Sequence, residues 1–143
     1  MQILVLNGPN LNLLGVREPG VYGTDSYESL VRRVETRAAA LGVAVTVAQH
    51  NGEGAIIDEI HAAMGRYNGL ILNPGAYTHY SYAIHDAVKA AGIPAIEVHL
   101  TNIAAREVFR HTSVVAPACV GQISGLGIAG YEAALAYFAE QRK

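Results

Sequence analysis

The amino-acid sequence predicts a three-layer α/β fold, a five-stranded parallel sheet with helices packed on both faces. Short runs rich in Val, Ile and Leu alternate with longer segments whose apolar residues recur at helical spacing. The short runs are apolar at successive positions, as strands buried on both faces require. With 143 residues, 51% hydrophobic and 15% charged, the chain suits one catalytic-sized domain over 1–143 with a real core.

Residues 3–6, 43–47, 70–72 and 94–98 read as strands, with a weaker fifth at 119–123. Leu30, Val31, Val34, Ala38 and Leu41 form the first helical stripe, and Ile56, Ile57, Ile60 and Met64 the second. Ala83, Ile84, Ala87, Val88 and Ala91 form the third, and Tyr131, Leu135 and Phe138 mark a last helix. Strand and helix alternate throughout, which implies a parallel sheet. For five strands the usual doubly wound order is the flavodoxin-like one, with ligands bound outside the carboxyl ends of the strands.

Polar and turn residues gather at that edge. Asn7-Gly8-Pro9-Asn10 follows the first strand, Asn73-Pro74-Gly75 the third, and Glu97-Val98-His99-Leu100-Thr101-Asn102 ends the fourth. The stretch 15–25, rich in Gly, Pro and charge, is too long for an ordinary connector and reads as a mobile lid over the same edge.

Composition removes several classes of function. The net charge is −2 and the basic residues are scattered, so the electrostatic footprint of a nucleic-acid binder is absent. One cysteine, Cys119, excludes an internal disulfide framework, and the chain opens on an apolar strand without a basic leader, which points to the cytoplasm. No apolar run approaches the roughly 18 to 20 residues that cross a bilayer.

Gly125-Leu126-Gly127-Ile128-Ala129-Gly130 matches the dinucleotide-binding glycine pattern. That fingerprint needs a following helix, another strand and an acidic residue about 20 positions on. Here a single helix ends the sequence, so a glycine-rich turn is expected and no cofactor. The histidines, His50, His61, His79, His85, His99 and His111, lack the His-Glu-x-x-His spacing of a metal helix, and no metal is expected. His61 and His85 fall in helical segments and read as surface or packing residues.

Glu97 and His99 differ, because side chains alternate along a strand and these two point to one face. A carboxylate there orients the imidazole and fixes its tautomer, which makes an acid/base pair at the carboxyl end of a central strand. The lid segment Arg17-Glu18-Pro19-Gly20-Val21-Tyr22-Gly23 carries a guanidinium and a phenol. A free phenol, with a pKa of about 10, is only about 0.1% ionised at neutral pH, so a base role for Tyr22 requires a cation such as Arg17 beside it.

Two other readings compete with this acid/base one. A flavodoxin-like or receiver-like signalling module shares the fold, but a receiver needs an acidic cluster after the first strand, where this chain has Asn7 and Asn10. A hydrolase acting through Ser81 or Ser124 would need a Gly-x-Ser-x-Gly elbow, and neither serine has one.

At these residues the sequence resembles the type II 3-dehydroquinate dehydratases along nearly its whole length. The resemblance rests on Asn7-Gly8-Pro9-Asn10-Leu11-Asn12, Arg17-Glu18-Pro19 with Tyr22-Gly23, Asn73-Pro74-Gly75-Ala76-Tyr77-Thr78-His79, Glu97-Val98-His99, Ala105-Arg106-Glu107 with Phe109-Arg110, and Gly125-Leu126-Gly127. It implies a lyase of the shikimate (or quinate) route, and of aromatic amino acid biosynthesis. The reaction is an anti elimination of water from 3-dehydroquinate, through an enolate, to 3-dehydroshikimate.

By that resemblance Tyr22 is the base, assisted by Arg17 and by a second arginine matching Arg110, and His99, oriented by Glu97, protonates the leaving hydroxyl. A water held near Asn10 stabilises the enolate. Asn73 and the N–H groups of Leu100 and Thr101 hold the substrate carboxylate, while His79 and Arg110 bind ring hydroxyls. Asp86 reaches a neighbouring subunit's site in a homododecamer built from trimers. Ala104, Thr101 and Thr112 depart from common family residues; Thr101 keeps the backbone donor and hydroxyl of the frequent serine. The lysines, Lys89 and Lys143, are badly placed for covalent catalysis.

Overall fold

The computed structural model describes residues 1–16, 20 and 25–142. Arg17 and Tyr22, and with them most of the expected lid, lie outside the described residues. Five strands, β1 (Gln2–Asn7), β2 (Ala44–Gln49), β3 (Gly69–Asn73), β4 (Ala95–His99) and β5 (Gly121–Ser124), form one sheet in the order β2-β1-β3-β4-β5. Every neighbouring pair is parallel, which is the doubly wound order expected from the sequence. The helices are α1 (Tyr27–Ala40), α2 (Glu53–Ala63), α3 (Tyr82–Ala91) and α4 (Ala129–Glu140).

Strand alternation sorts the core into two layers. Ile3, Val5, Ile71, Ile96 and Val98 face α1 and α4, meeting Leu30, Val34, Ala38, Tyr131, Leu135 and Phe138. Leu4, Leu6, Leu70, Leu72 and Ala95 face α2 and α3, meeting Ile56, Ile60, Ile84 and Val88. Helix starts follow local chemistry: the Ser26 side chain accepts the Ser29 N–H to open α1, and Ser81 accepts that of Ile84 to open α3.

Burial on both faces holds for β3 and β4 and nearly all of β1, but not for the edges. β2 has no fully buried residue, being exposed at Ala44 and Thr46 and only partly buried elsewhere, and β5 is exposed over its first half. An edge strand has a neighbour on one side only, so its side chains are less covered. Cys119 lies outside β5, because its N–H closes a tight turn, Ala116–Ala118, onto the Ala116 carbonyl. Met64 drops out of the second stripe for a similar reason: α2 ends at Ala63, and Met64 is 48% exposed.

Under the carboxyl ends of β1 and β3, where the strand order reverses, lies a buried polar link. Asn7 and Asn73 pair in register. The Asn73 amide donates to the Tyr131 hydroxyl at 2.8 Å, and that hydroxyl donates to Asn7 Oδ1 at 2.6 Å. Burial pushes the Tyr131 phenol well above its ordinary range, so it remains a donor. Tyr131→Phe removes the hydroxyl while keeping the ring and leaves two buried amides short of a partner. It is expected to cost about 1–3 kcal/mol of stability, read as a lower urea midpoint at unchanged slope.

Candidate active site

The carboxyl ends of β1, β3 and β4 open into a cavity of about 190 Å³. Its wall includes Asn10, Asn73, His79, His99, Leu100, Thr101, Arg106 and Arg110. The fold thus brings together seven of the expected site residues and adds Arg106. Glu97 sits behind the wall, fully buried. Asp86, on α3, is exposed and is not part of this chain's own cavity wall.

Glu97 is held by three donors. Its Oε1 accepts the hydroxyls of Thr78 and Ser113, the latter at 2.8 Å, and its Oε2 accepts the side-chain amide of Gln122, its register partner on β5. Burial alone would raise this carboxyl. The adjoining His99 imidazole, with the Thr78 and Gln122 donors, outweighs it and holds the group below the usual carboxylate range. Its ionised form therefore contributes stability that is present above the ordinary carboxylate range and lost as pH falls through the folded value.

His99 Nε2 lies 3.5 Å from Glu97 Oε1, an ion-pair contact longer than a hydrogen bond, and has no hydrogen-bond partner among the described residues. The alternation that puts both side chains on one face of β4 was readable from the sequence. The ring is buried, 6% exposed, yet lines the cavity. With Nε2 turned to the carboxylate, Nδ1 is the ring nitrogen not committed to Glu97.

His79 stacks beside it, with ring centroids 6.5 Å apart and planes 19° from parallel. Its Nδ1 donates to the Thr112 carbonyl at 2.9 Å. Burial lowers its proton affinity, and the neighbouring His99 and Arg110 lower it further, against the opposing pull of that carbonyl and of Glu97. The ring is therefore neutral at neutral pH, with Nε2 an acceptor suited to a hydroxyl.

Arg110 is tethered by the Glu107 carboxylate, and its guanidinium carbon lies 4.7 Å from the Phe109 ring centre. It keeps its place in the cavity wall with Arg106, and two guanidinium groups on one wall favour an anionic guest. Arg106 was legible only as part of a motif; the path of the loop after β4 puts it in the wall.

The glycine run proves to be a clamp on that loop. The N–H of Gly125 donates to the His99 carbonyl at 3.2 Å, and that of Gly127 to the Leu100 carbonyl at 2.9 Å. Gly125 has φ +91°, and a Cβ there would sit 3.0 Å from Asn102 Cβ, so glycine is required. Both serines of the hydrolase reading are committed elsewhere. Ser81 caps α3 and donates to Glu53 at 2.6 Å, while Ser124 donates to the Thr101 carbonyl at 3.0 Å. Burial, with Glu97 nearby, pushes the Cys119 thiol up to about 12, far from thiolate chemistry at neutral pH.

A carboxylate-backed histidine and a neutral one, facing a polar cavity where a doubly wound sheet reverses its order, define an α/β acid–base enzyme site. Comparison with known proteins narrows this. The chain matches the family described as dehydroquinase class II over residues 1–139 and belongs to that family. It is 59% identical over 135 residues to a 3-dehydroquinate dehydratase of Caldicellulosiruptor bescii, covering 94% of this chain and 93% of that protein. The crystal structure of a type II dehydroquinase from Butyrivibrio crossotus superposes with a TM-score of 0.94 at 50% identity, covering 96% of each chain. One from Propionibacterium acnes gives 0.94 at 47% identity, covering 98% of this chain and 97% of that one.

Proposed function

We propose that this chain is a hydro-lyase that dehydrates 3-dehydroquinate to 3-dehydroshikimate by anti elimination through an enolate. Tyr22, assisted by Arg17, removes the proton beside the ketone. The charge that forms on the ketone oxygen is met by a water at Asn10, and preorganised donors of this kind supply a large part of catalysis. His99 then delivers a proton from Nδ1 to the departing hydroxyl while Glu97 steadies the ring.

Asn73, Leu100 and Thr101 hold the substrate carboxylate in the field of Arg106 and Arg110, and His79 and Arg110 take ring hydroxyls. The observation that carries the reading is the triply held Glu97 carboxylate behind His99 in the cavity wall, in a chain of this family. The same reading takes 1–143 as one catalytic domain, working in the cytoplasm as a homododecamer of trimers in which Asp86 serves a neighbour. Its exposure on α3, away from its own cavity, suits that part.

The test is direct. Purified protein given 3-dehydroquinate alone is expected to generate the ultraviolet band of a conjugated enone, and a folded sample with no band sinks the proposal. Borohydride added with substrate is expected to leave activity intact, because no imine forms; inactivation would point to lysine chemistry instead.

A further inference from the structure

Asn10 stands in an unusual backbone state. Its φ of 70° and ψ of −3° put it in the left-handed region, and it is the one non-glycine residue with positive φ among the described residues. Asparagine tolerates that region better than most residues, but only as a single position held from outside. Asn10 lines the cavity, and because the backbone sets where a side chain projects, whatever holds this conformation also sets how Asn10 meets that space.

The hold comes from the end of β2. Asn51 Oδ1 accepts the Asn10 N–H at 3.1 Å and a Gln49 side-chain N–H at 2.9 Å, filling both lone pairs of one carbonyl oxygen. The same Gln49 nitrogen lies 3.1 Å from the Gly8 carbonyl and 3.3 Å from Asn12 Oδ1. Gln49 thus reaches the turn on either side of Asn10. Asn51 is itself fixed by the Tyr77 hydroxyl, which donates to its carbonyl at 2.9 Å.

From the opposite side the turn is blocked by β3. The Gly8 N–H donates to the Asn73 carbonyl at 2.7 Å. A Cβ on Gly8 would come within 2.6 Å of the Pro74 backbone, so the two segments are already at closest approach. Gln49 and Asn51 supply the remaining constraint, and neither lines the cavity.

We infer that Asn51, supported by Gln49, is a positioning residue for the enolate-stabilising end of the site, acting through Asn10. This rests on the part given above to Asn10. Aim matters more for charge developing in the transition state than for holding the ground-state substrate, so the effect falls on kcat rather than KM. A displacement on the order of 1 Å at such a donor can cost up to about 10²-fold.

The experiment is a double-mutant cycle on the full chain, with kcat and KM from enone formation and thermal melting as the control for folding. Asn51→Ala is expected to lower kcat by about 10- to 100-fold with KM and melting little changed, and Gln49→Met to act in the same sense. Asn10→Gly, which keeps the left-handed backbone free of strain, is expected to lower kcat by about 10²- to 10³-fold. Adding Asn51→Ala to Asn10→Gly is expected to cost nothing further, since the group being aimed is gone.

Full turnover in Asn51→Ala beside a slow Asn10→Gly overturns the brace alone. Independent losses that multiply in the double variant overturn it too, as does a loss confined to KM or melting. Full turnover in Asn10→Gly overturns the part given to Asn10, and the positioning role with it.

Discussion

Replacing His99 with alanine is expected to lower kcat by about 10²- to 10⁴-fold, the usual worth of a general acid, which corresponds to about 3–5 kcal/mol of barrier. The chain should still fold, because Glu97 keeps its Thr78, Ser113 and Gln122 donors when the imidazole is removed and so is not left as an unpaired buried charge. The informative part is what survives. A stepwise elimination forms the enolate before the hydroxyl leaves, so an enzyme without its acid can still remove the proton beside the ketone and return one from solvent. In deuterated water, His99→Ala is expected to exchange that position, followed by NMR, while forming little enone. Enone formation at the parent rate would remove His99 from the mechanism, and loss of exchange along with elimination would merge the two steps into one.

The layers of the fold were legible because central strands carry apolar runs, at 3–6 in β1 and 70–72 in β3, and the helices bury residues at helical spacing, as Leu30, Val34 and Ala38 do in α1 and Ile56, Ile60 and Ala63 in α2. Edges were less legible. β2 and β5 are covered on fewer sides, so their apolar residues are fewer and their bounds shift, as at Val43 and Cys119. Within the site, Glu97 and His99 were readable from the period of a strand. The groups that hold Glu97 were not: Thr78, Ser113 and Gln122 are 19, 16 and 25 residues away, on three separate segments, Thr78 inside a motif that gave no sign of this partner and Ser113 and Gln122 in no motif at all. Asn51, 41 residues from Asn10, is hidden in the same way. The polar residues of the cavity wall sit in recognisable strings after strands, whereas the groups that hydrogen-bond Glu97 and Asn10 from behind are brought in by topology. The glycine run shows the converse, since its spacing matches a cofactor loop while its N–H groups are spent on the carbonyls of His99 and Leu100.

Tyr22→Phe is expected to lose both elimination and exchange, which sets it apart from His99→Ala. Without the phenolic oxygen no group removes the proton, so no enolate forms, and kcat should fall by about 10²- to 10⁴-fold. The ring remains, and substrate affinity should change far less than turnover. An ordinary phenol is about 0.1% ionised at neutral pH, so the base role proposed for Tyr22 requires a cationic field; Arg17 is five residues away in sequence, and Arg106 and Arg110 stand in the cavity wall. Arg17→Ala weakens that field and is expected to lose nearly as much activity at neutral pH. The sign of its pH dependence follows: with less positive charge nearby the phenol ionises at higher pH, so the rising limb of kcat moves to higher pH and alkaline buffer recovers part of the loss. No pH recovers Tyr22→Phe, which has nothing to ionise. A Tyr22→Phe enzyme that still exchanged the proton beside the ketone would place the base on another residue.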